Sequence, residues 1–258
     1  MNTNTAFDGL RVAVTGGTSG LGLSLVRALH AQRARVAFVA RDAARVACVA
    51  NELPGSHGIA GDVSDKHATH RIALQINGAL GGLDVLVNNA SRLGPVPLVL
   101  LADTACEDFE AALATNLVGP FRLTKALLGA LAASAREQLP QRAALVVNIT
   151  SDAAVNARER WGAYGASKAA LAHLSRIWHE ELRAHDVRVL AFDPGDMDTP
   201  MHAAALPDAD PTTLKRPADA ALELLALIAE QRATPPLALI SEHTATQPLA
   251  QSAAKASA

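Results

Sequence analysis

The chain has 258 residues; half are apolar, 3% are aromatic, and the formal net charge is -2. That length suits one large α/β domain able to bury a substantial core. The near-neutral charge gives no electrostatic case for nucleic acid or anionic membrane as a partner, and so few aromatic rings leave little to stack on bases.

In chain order, the first predicted strand is Arg11–Thr15, a short buried-type apolar run. It leads into Gly16-Gly17-Thr18-Ser19-Gly20-Leu21-Gly22 and then a helical stretch to about Arg33. Strand, glycine-rich turn and helix together present backbone N–H groups and a helix N-terminus to a pyrophosphate. The glycines let the backbone turn sharply and approach phosphates without a Cβ in the way. Further strands are predicted at Arg35–Ala40, His57–Ala60, Leu83–Asn88, Ala144–Thr150, Val187–Phe192 and Leu237–Ile240. Helical stretches fill most gaps, notably Thr104–Leu131 and Gly162–Arg183.

Near-continuous apolar strands alternating with helices imply the α/β class, a doubly wound parallel sheet of about seven strands with helices on both faces. Ligands of such sheets sit beyond the carboxyl ends of the strands. Thr15, Asn88, Thr150-Ser151 and Pro194 all fall at such ends, so their neighbourhoods are expected to converge on one cleft. No repeat or linker divides the chain. Residues 1–246 read as one domain, and the low-complexity segment 247–258 reads as a disordered tail.

The N-terminus is short and polar, with no signal-peptide core and no spanning segment, so no membrane association is expected. Nine histidines show no metal-ligand spacing, and Cys48 and Cys106 are too few and too distant for a zinc site or a disulfide framework. No metal is expected, and the thiols are expected to be buried and free in a reducing cytoplasm.

Tyr164 and Lys168 lie four apart on the predicted helix Gly162–Arg183, on one face. A phenol beside an ammonium is expected to titrate low, because the positive charge favours phenolate. Such a tyrosine can exchange protons near neutral pH, as carbonyl reduction or alcohol oxidation requires. A Tyr-x-x-x-Lys recurs by chance in many helices. Here, however, Tyr164 is the only tyrosine, and Ser151 stands thirteen residues before it at a strand end.

With these pieces in order, the chain resembles the short-chain dehydrogenase/reductase family of single-domain type over roughly residues 8 to 232. The family's glycine motif falls on Thr15, Gly16, Gly20 and Gly22, within the segment that includes Thr18, Ser19 and Leu21. Its Asp-Val after the third strand falls on Asp62-Val63, and its Asn-Asn-Ala-Gly appears as Asn88-Asn89-Ala90-Ser91. Its catalytic asparagine falls on Asn116, its Pro-Gly-x-x-x-Thr on Pro194, Gly195, Met197 and Thr199, and the remaining tetrad positions on Ser151, Tyr164 and Lys168.

The resemblance implies a Rossmann-type fold and an NAD(P)-dependent oxidoreductase that interconverts a small-molecule carbonyl and alcohol. Tyr164 would be the general acid/base and Ser151 would hold the reacting oxygen. Lys168 would lower the tyrosine pKa and grip the nicotinamide ribose, and Asn116 would position a water. Asp62 would meet the adenine, and Asn89, Ala90 and the 194–199 segment would contact the cofactor. A homodimer built on the two long helices is also implied, with a tetramer less secure because no glycine-rich segment follows the last predicted strand.

Two readings of other kinds use the same residues. A non-catalytic NADP(H) sensor would need no proton donor. A sugar-nucleotide epimerase or dehydratase usually carries another glycine spacing and a longer C-terminal region.

At the end of the second strand, where NAD-preferring enzymes usually carry an acid for the ribose 2′-hydroxyl, the chain has Ala40, then Arg41 and Asp42. The arginine fork suits a 2′-phosphate. NADP(H) is therefore the expected cofactor, with NAD(H) possible should Asp42 turn inward. Ser91, in place of the family's glycine, is expected to narrow the substrate site. That site is expected to draw on Ser91–Leu93, Asp152–Val155, Trp161, Met201 and His202, and its Ser151–Tyr164 loop carries the charges of Asp152, Arg158 and Arg160.

Overall fold

A computed structural model describes residues 6–138 and 143–233. It contains six strands: β1 (Arg11–Thr15), β2 (Arg35–Ala40), β3 (His57–Ala60), β4 (Val85–Asn88), β5 (Ala144–Ile149) and β6 (Val187–Phe192). All adjacent pairs are parallel, in the order β3-β2-β1-β4-β5-β6. The described sheet thus has six strands rather than about seven, and the expected strand Leu237–Ile240, like the tail, lies outside the described residues. Strand order reverses between β1 and β4, and a doubly wound sheet binds its ligand at such a reversal.

The strands form where they do because both faces are covered. β5 is buried along its whole length, which explains why its sequence is continuously apolar rather than alternating. Val12 and Val14 of β1 join the core under α1 (Gly20–Ala31), α2 (Ala43–Glu52) and α8 (Pro217–Ala233). Ala13 between them faces the opposite core, under α3 (Thr69–Leu80) and α5 (Gly119–Gln138). No described helix is long and apolar enough to cross a membrane.

The predicted helix Thr104–Leu131 is broken in the structure. α4 (Cys106–Leu113) passes through a π turn at Ala114–Val118 into α5. Pro120 has no N–H to offer the carbonyl four residues back, so the regular ladder cannot run through Asn116. Gly119 lets the helix approach the neighbouring loop, since a Cβ there would stand 2.8 Å from Val63 O. The other long helix, α6 (Gly162–Glu181), ends two residues before the predicted limit.

Both thiols are exposed, not buried as expected. Cys48 lies outside the buried face of α2, formed by Val46 and Val49, and Cys106 opens α4.

Candidate active site

A cavity of about 720 Å³ opens at the carboxyl ends of the strands, a volume typical of small-molecule sites. Every expected catalytic and cofactor-binding residue lines it except Gly22 and Asn116, which stand behind its wall.

One half is the glycine-rich turn. Gly16 and Gly20 have φ of 70° and 50°, a region where a side chain is strained. Gly22 has a different purpose: a Cβ there would lie 2.2 Å from Gly16 O, so only glycine lets α1 begin this close to the turn. Ser19, at the N-cap of α1, makes no side-chain capping bond. The first-turn N–H groups therefore have no side-chain partner from Ser19 where the turn meets the cavity. Thr15 Oγ1 accepts from the backbone N–H of Asn89 and Ala90, each at 3.0 Å, which ties the ends of β1 and β4 together. Thr199 closes over the turn, its methyl carbon 3.1 Å from where a Gly20 Cβ would stand.

At the far end, Asp42 caps α2, its Oδ1 accepting from Ala44 N and Arg45 N at 3.0 and 3.1 Å. Arg41 is exposed on the cavity wall and has no ion-pair or hydrogen-bond partner among the described residues. Asp62 Oδ1 accepts from Ser64 N and Oγ at 2.8 and 2.7 Å.

The other half holds the titratable groups. Tyr164 is nearly buried, and burial pushes its phenol up to about 12. The Ser151 hydroxyl pulls it down, Asp193 pushes it up, and Ser91 and Asp152 act in those two directions more weakly. Lys168, 2% exposed, is driven by burial down to about 7, with Asp193 opposing. Its Nζ donates to Ile149 O at 2.7 Å and sits 5.5 Å from the centroid of the Tyr164 ring. The expected depression of the phenol is thus reversed here, because desolvation outweighs the favourable neighbours.

Asn116 uses all four of its side-chain positions within the protein. Its Oδ1 accepts from Arg92 N at 2.8 Å and Ser91 Oγ at 3.2 Å. Its Nδ2 donates to Arg92 O and Ser167 Oγ, both at 2.8 Å. It is a clamp between the 91–92 turn and α6, and its side chain has no position left for a water.

Of the expected substrate lining, Ser91, Leu93, Asp152, Ala153, Trp161, Met201 and His202 face the cavity. Arg92 turns away to Asp108, and Val155 points to solvent. Arg158 lines the wall paired with Asp152, whereas Arg160 pairs with Glu159 outside.

Two further groups, Asp193 and Ser167, went unanticipated. Asp193 sits at the end of β6, in direct sequence with the flagged Pro194, and its place at a strand end was the available signal. Ser167 positions Asn116 and had no signal beyond its neighbours. Thr150 Oγ1 and His202 Nδ1 are buried with no hydrogen-bond partner among the described residues, and both residues line the cavity. Orphaned polar atoms of this kind fit a site that receives a polar ligand.

The family model described as short chain dehydrogenase matches residues 11–210. L-xylulose reductase of Bos taurus is 32% identical over 200 residues, 78% of this chain and 77% of that one. Carbonyl reductase [NADPH] 2 of Sus scrofa is 30% identical over 78% of each chain. The Pseudomonas aeruginosa RhlG/NADP active-site complex superimposes with a TM-score of 0.76 at 29% identity, covering 86% of this chain and 91% of that one. A motif order shared along the sequence, a matching sheet and matches of this length have one common source: the chain belongs to the short chain dehydrogenase family and is an oxidoreductase acting on CH–OH or carbonyl groups.

Proposed function

We propose that the protein is an NADP(H)-dependent oxidoreductase interconverting a small carbonyl compound and its alcohol, with Tyr164 as the general acid/base. The observation that carries this reading is the cavity itself: the glycine-rich turn and Arg41 stand at one end, Ser151, Tyr164 and Lys168 at the other. The uncapped start of α1 and the residues at Asp62, Val63, Asn89, Ala90, Pro194, Gly195, Met197 and Thr199 fit a dinucleotide laid along that wall. The chemistry that a bound nicotinamide supplies is hydride transfer to or from the substrate carbon.

In the reductive direction Tyr164 gives its proton to the substrate oxygen as that oxygen gains charge. Ser151 donates a hydrogen bond to the same oxygen, which is worth most where water is excluded. Lys168, close to the phenol and able to carry charge near neutrality, steadies the phenolate left behind and reaches the nicotinamide ribose. Asn116 holds the 91–92 turn against α6, so that Ser91 and Tyr164 keep their spacing.

Two features support NADP(H) over NAD(H). Asp42, although it lines the cavity, is engaged as the cap of α2 and paired with Arg45, and Arg41 has no partner among the described residues. The P. aeruginosa relative carries NADP in its active site, which agrees. The reading includes a cytoplasmic location, in keeping with two exposed unpaired thiols, and cell fractionation checks it.

A homodimer through α5 and α6 is part of the reading. Leu171 of α6 and Leu182 at its end are used in the internal core, but Phe121 and Ile177 remain exposed beside Trp178.

The test is NADPH oxidation against a broad carbonyl panel with wild type and Tyr164→Phe. A compound that wild type reduces should be turned over at least about a hundredfold more slowly by the variant, the usual weight of a general acid. Cofactor binding, read by fluorescence, should persist. Near wild-type turnover by Tyr164→Phe would remove the assignment.

A further inference from the structure

Ser151 is the group set against the substrate oxygen, and its proton is already in use. Its Oγ accepts from Ala153 N at 3.2 Å and donates to Asp152 Oδ1, also at 3.2 Å. A serine hydroxyl has only one proton to give. To hold a carbonyl oxygen, Ser151 must therefore turn that proton away from Asp152.

Asp152 lines the cavity together with Ser151, Arg158 and Tyr164. Arg158 donates to its other carboxylate oxygen, Oδ2. The backbone carbonyl of Asp152 accepts from Val155 N and Asn156 N, both at 2.9 Å. Backbone and carboxylate are thus both held, and the carboxylate stays in place when the serine proton turns. Its Oδ1 is then a charged acceptor without its donor, on the cavity wall next to the hydroxyl that has turned to the substrate.

We propose that the protein selects α-hydroxy carbonyl compounds, with Asp152 as the specificity-determining residue: its Oδ1 accepts a hydrogen bond from the substrate hydroxyl on the carbon next to the carbonyl, in exchange for the one from Ser151. The proposal rests on the reading of Ser151 and Tyr164 as the pair that holds the carbonyl oxygen.

The exchange leaves every polar group paired. Ser151 moves its hydrogen bond from Asp152 Oδ1 to the carbonyl oxygen and keeps the one it accepts from Ala153 N. The carbonyl oxygen accepts from Ser151 and Tyr164 with its two lone pairs. The substrate hydroxyl gives its single proton to Oδ1, and no covalent bond breaks. When the two oxygens of an α-hydroxy carbonyl point the same way, they lie about a hydrogen-bond length apart. That spacing matches the 3.2 Å between Ser151 Oγ and Asp152 Oδ1.

Other substituents fit this corner less well. A methyl group there leaves a charged oxygen facing carbon, and an acceptor left unpaired costs more than a paired one gains. A carboxylate there meets Asp152 at close range, and the charge of Arg158 is already shared with Asp152. The Asp152 side chain is 34% exposed, so water also reaches it. The preference for the hydroxyl should therefore be about tenfold, at the low end for a hydrogen bond to a charged group.

The test uses hydroxyacetone, its near-isostere 2-butanone, and methoxyacetone, which keeps the oxygen but has no proton to give. Pyruvate is the anionic probe. Calorimetric titration of the Tyr164→Phe protein with NADP+ present reads binding without reduction. Hydroxyacetone should bind about tenfold more tightly than 2-butanone or methoxyacetone. Adding Asp152→Ala should bring both ratios close to one. Asp152→Asn, which keeps a neutral acceptor and serves should the alanine variant fold poorly, should retain only part of the preference.

Equal binding of the three ketones, no binding of hydroxyacetone, a preference untouched by both Asp152 variants, or tighter binding of pyruvate than of hydroxyacetone would overturn the proposal. In wild type, kcat/KM for reduction should follow the same order, chiefly through KM. Should no carbonyl be reduced, it is the functional reading that fails, while the binding ratios still decide the role of Asp152.

Discussion

Replacing Lys168 by methionine should change how stability depends on pH, and the structure fixes the sign. The ammonium is 2% exposed, and burial brings it from 10.5 to about 7. Between those two values the unfolded chain binds the proton and the folded chain does not, so stability rises with pH across that window. Below about 7 both states are protonated and the full penalty for the buried cation remains. Above 10.5 it is gone. At 1.36 kcal/mol per unit the gap corresponds to about 5 kcal/mol. A group whose folded pKa is depressed contributes stability above the unfolded value and loses it as pH falls through the folded one, and this case follows that rule.

Methionine nearly conserves the packing volume and cannot titrate. It also removes the bond to Ile149 O, a loss that is the same at every pH. The assay is urea unfolding of cofactor-free wild type and Lys168→Met at about pH 6 and about pH 9. Wild type should gain about 3 kcal/mol on the variant between them, since two units of the window are crossed. Tyr164, pushed up to about 12, disturbs this comparison only above its unfolded value of 10. A difference between the two proteins that does not change with pH would refute the reasoning, because it would mean that the ammonium is solvated in the folded state.

Two other outcomes follow from the same structure. NADPH should bind at least about tenfold more tightly than NADH, from one charge-assisted contact worth about 1.5–3 kcal/mol, and Arg41→Ala should erase most of that margin. Fluorescence titration with both cofactors reads it, and an NADH preference would put Asp42 rather than Arg41 on the ribose. Light scattering should give a dimer mass at micromolar concentration, and Ile177→Arg, on the exposed flank of α6, should shift it toward monomer. A wild-type monomer would show that the apolar residues of α5 and α6 serve the internal core alone.

The strands were legible because burial on both faces leaves a direct mark in sequence. Val12-Ala13-Val14 and Leu145-Val146-Val147 are short runs, apolar at every position and rich in β-branched valine. The glycine-rich turn was legible because Gly16, Gly20 and Gly22 each answer a local steric demand. The π turn at Ala114–Val118 was not. Its cause is local, at Pro120, but the reason for keeping it is distant: Asn116 must reach Arg92 and Ser167, and helical periodicity carries no trace of those partners. Exposure of Cys48 was missed because cysteine is buried on average, whereas its place relative to Val46 and Val49 on α2 decides its own case.

The direction of the Tyr164 shift was the largest miss, and its physical reason bears on function. Spacing of four residues on a helix says that a phenol and an ammonium are neighbours, but not how much water both have lost. Here both are desolvated, and each retreats toward its neutral form: the phenol to about 12, the ammonium to about 7. At neutral pH the phenol therefore keeps its proton, ready to act as an acid toward a substrate carbonyl. Alcohol oxidation asks the opposite of it. Ionising a phenol at about 12 in water at pH 7 costs about 7 kcal/mol, five units at 1.36 each. That value already includes the lowering by the serine hydroxyls and the raising by Asp193 and Asp152. A further positive charge close to the phenol, or protonation of Lys168 itself, is what would close the gap. The electrostatics of the protein alone thus keep the resting phenol protonated at neutral pH, and the groups able to alter that balance are the two hydroxyls, the two carboxylates and the one buried amine around a single oxygen.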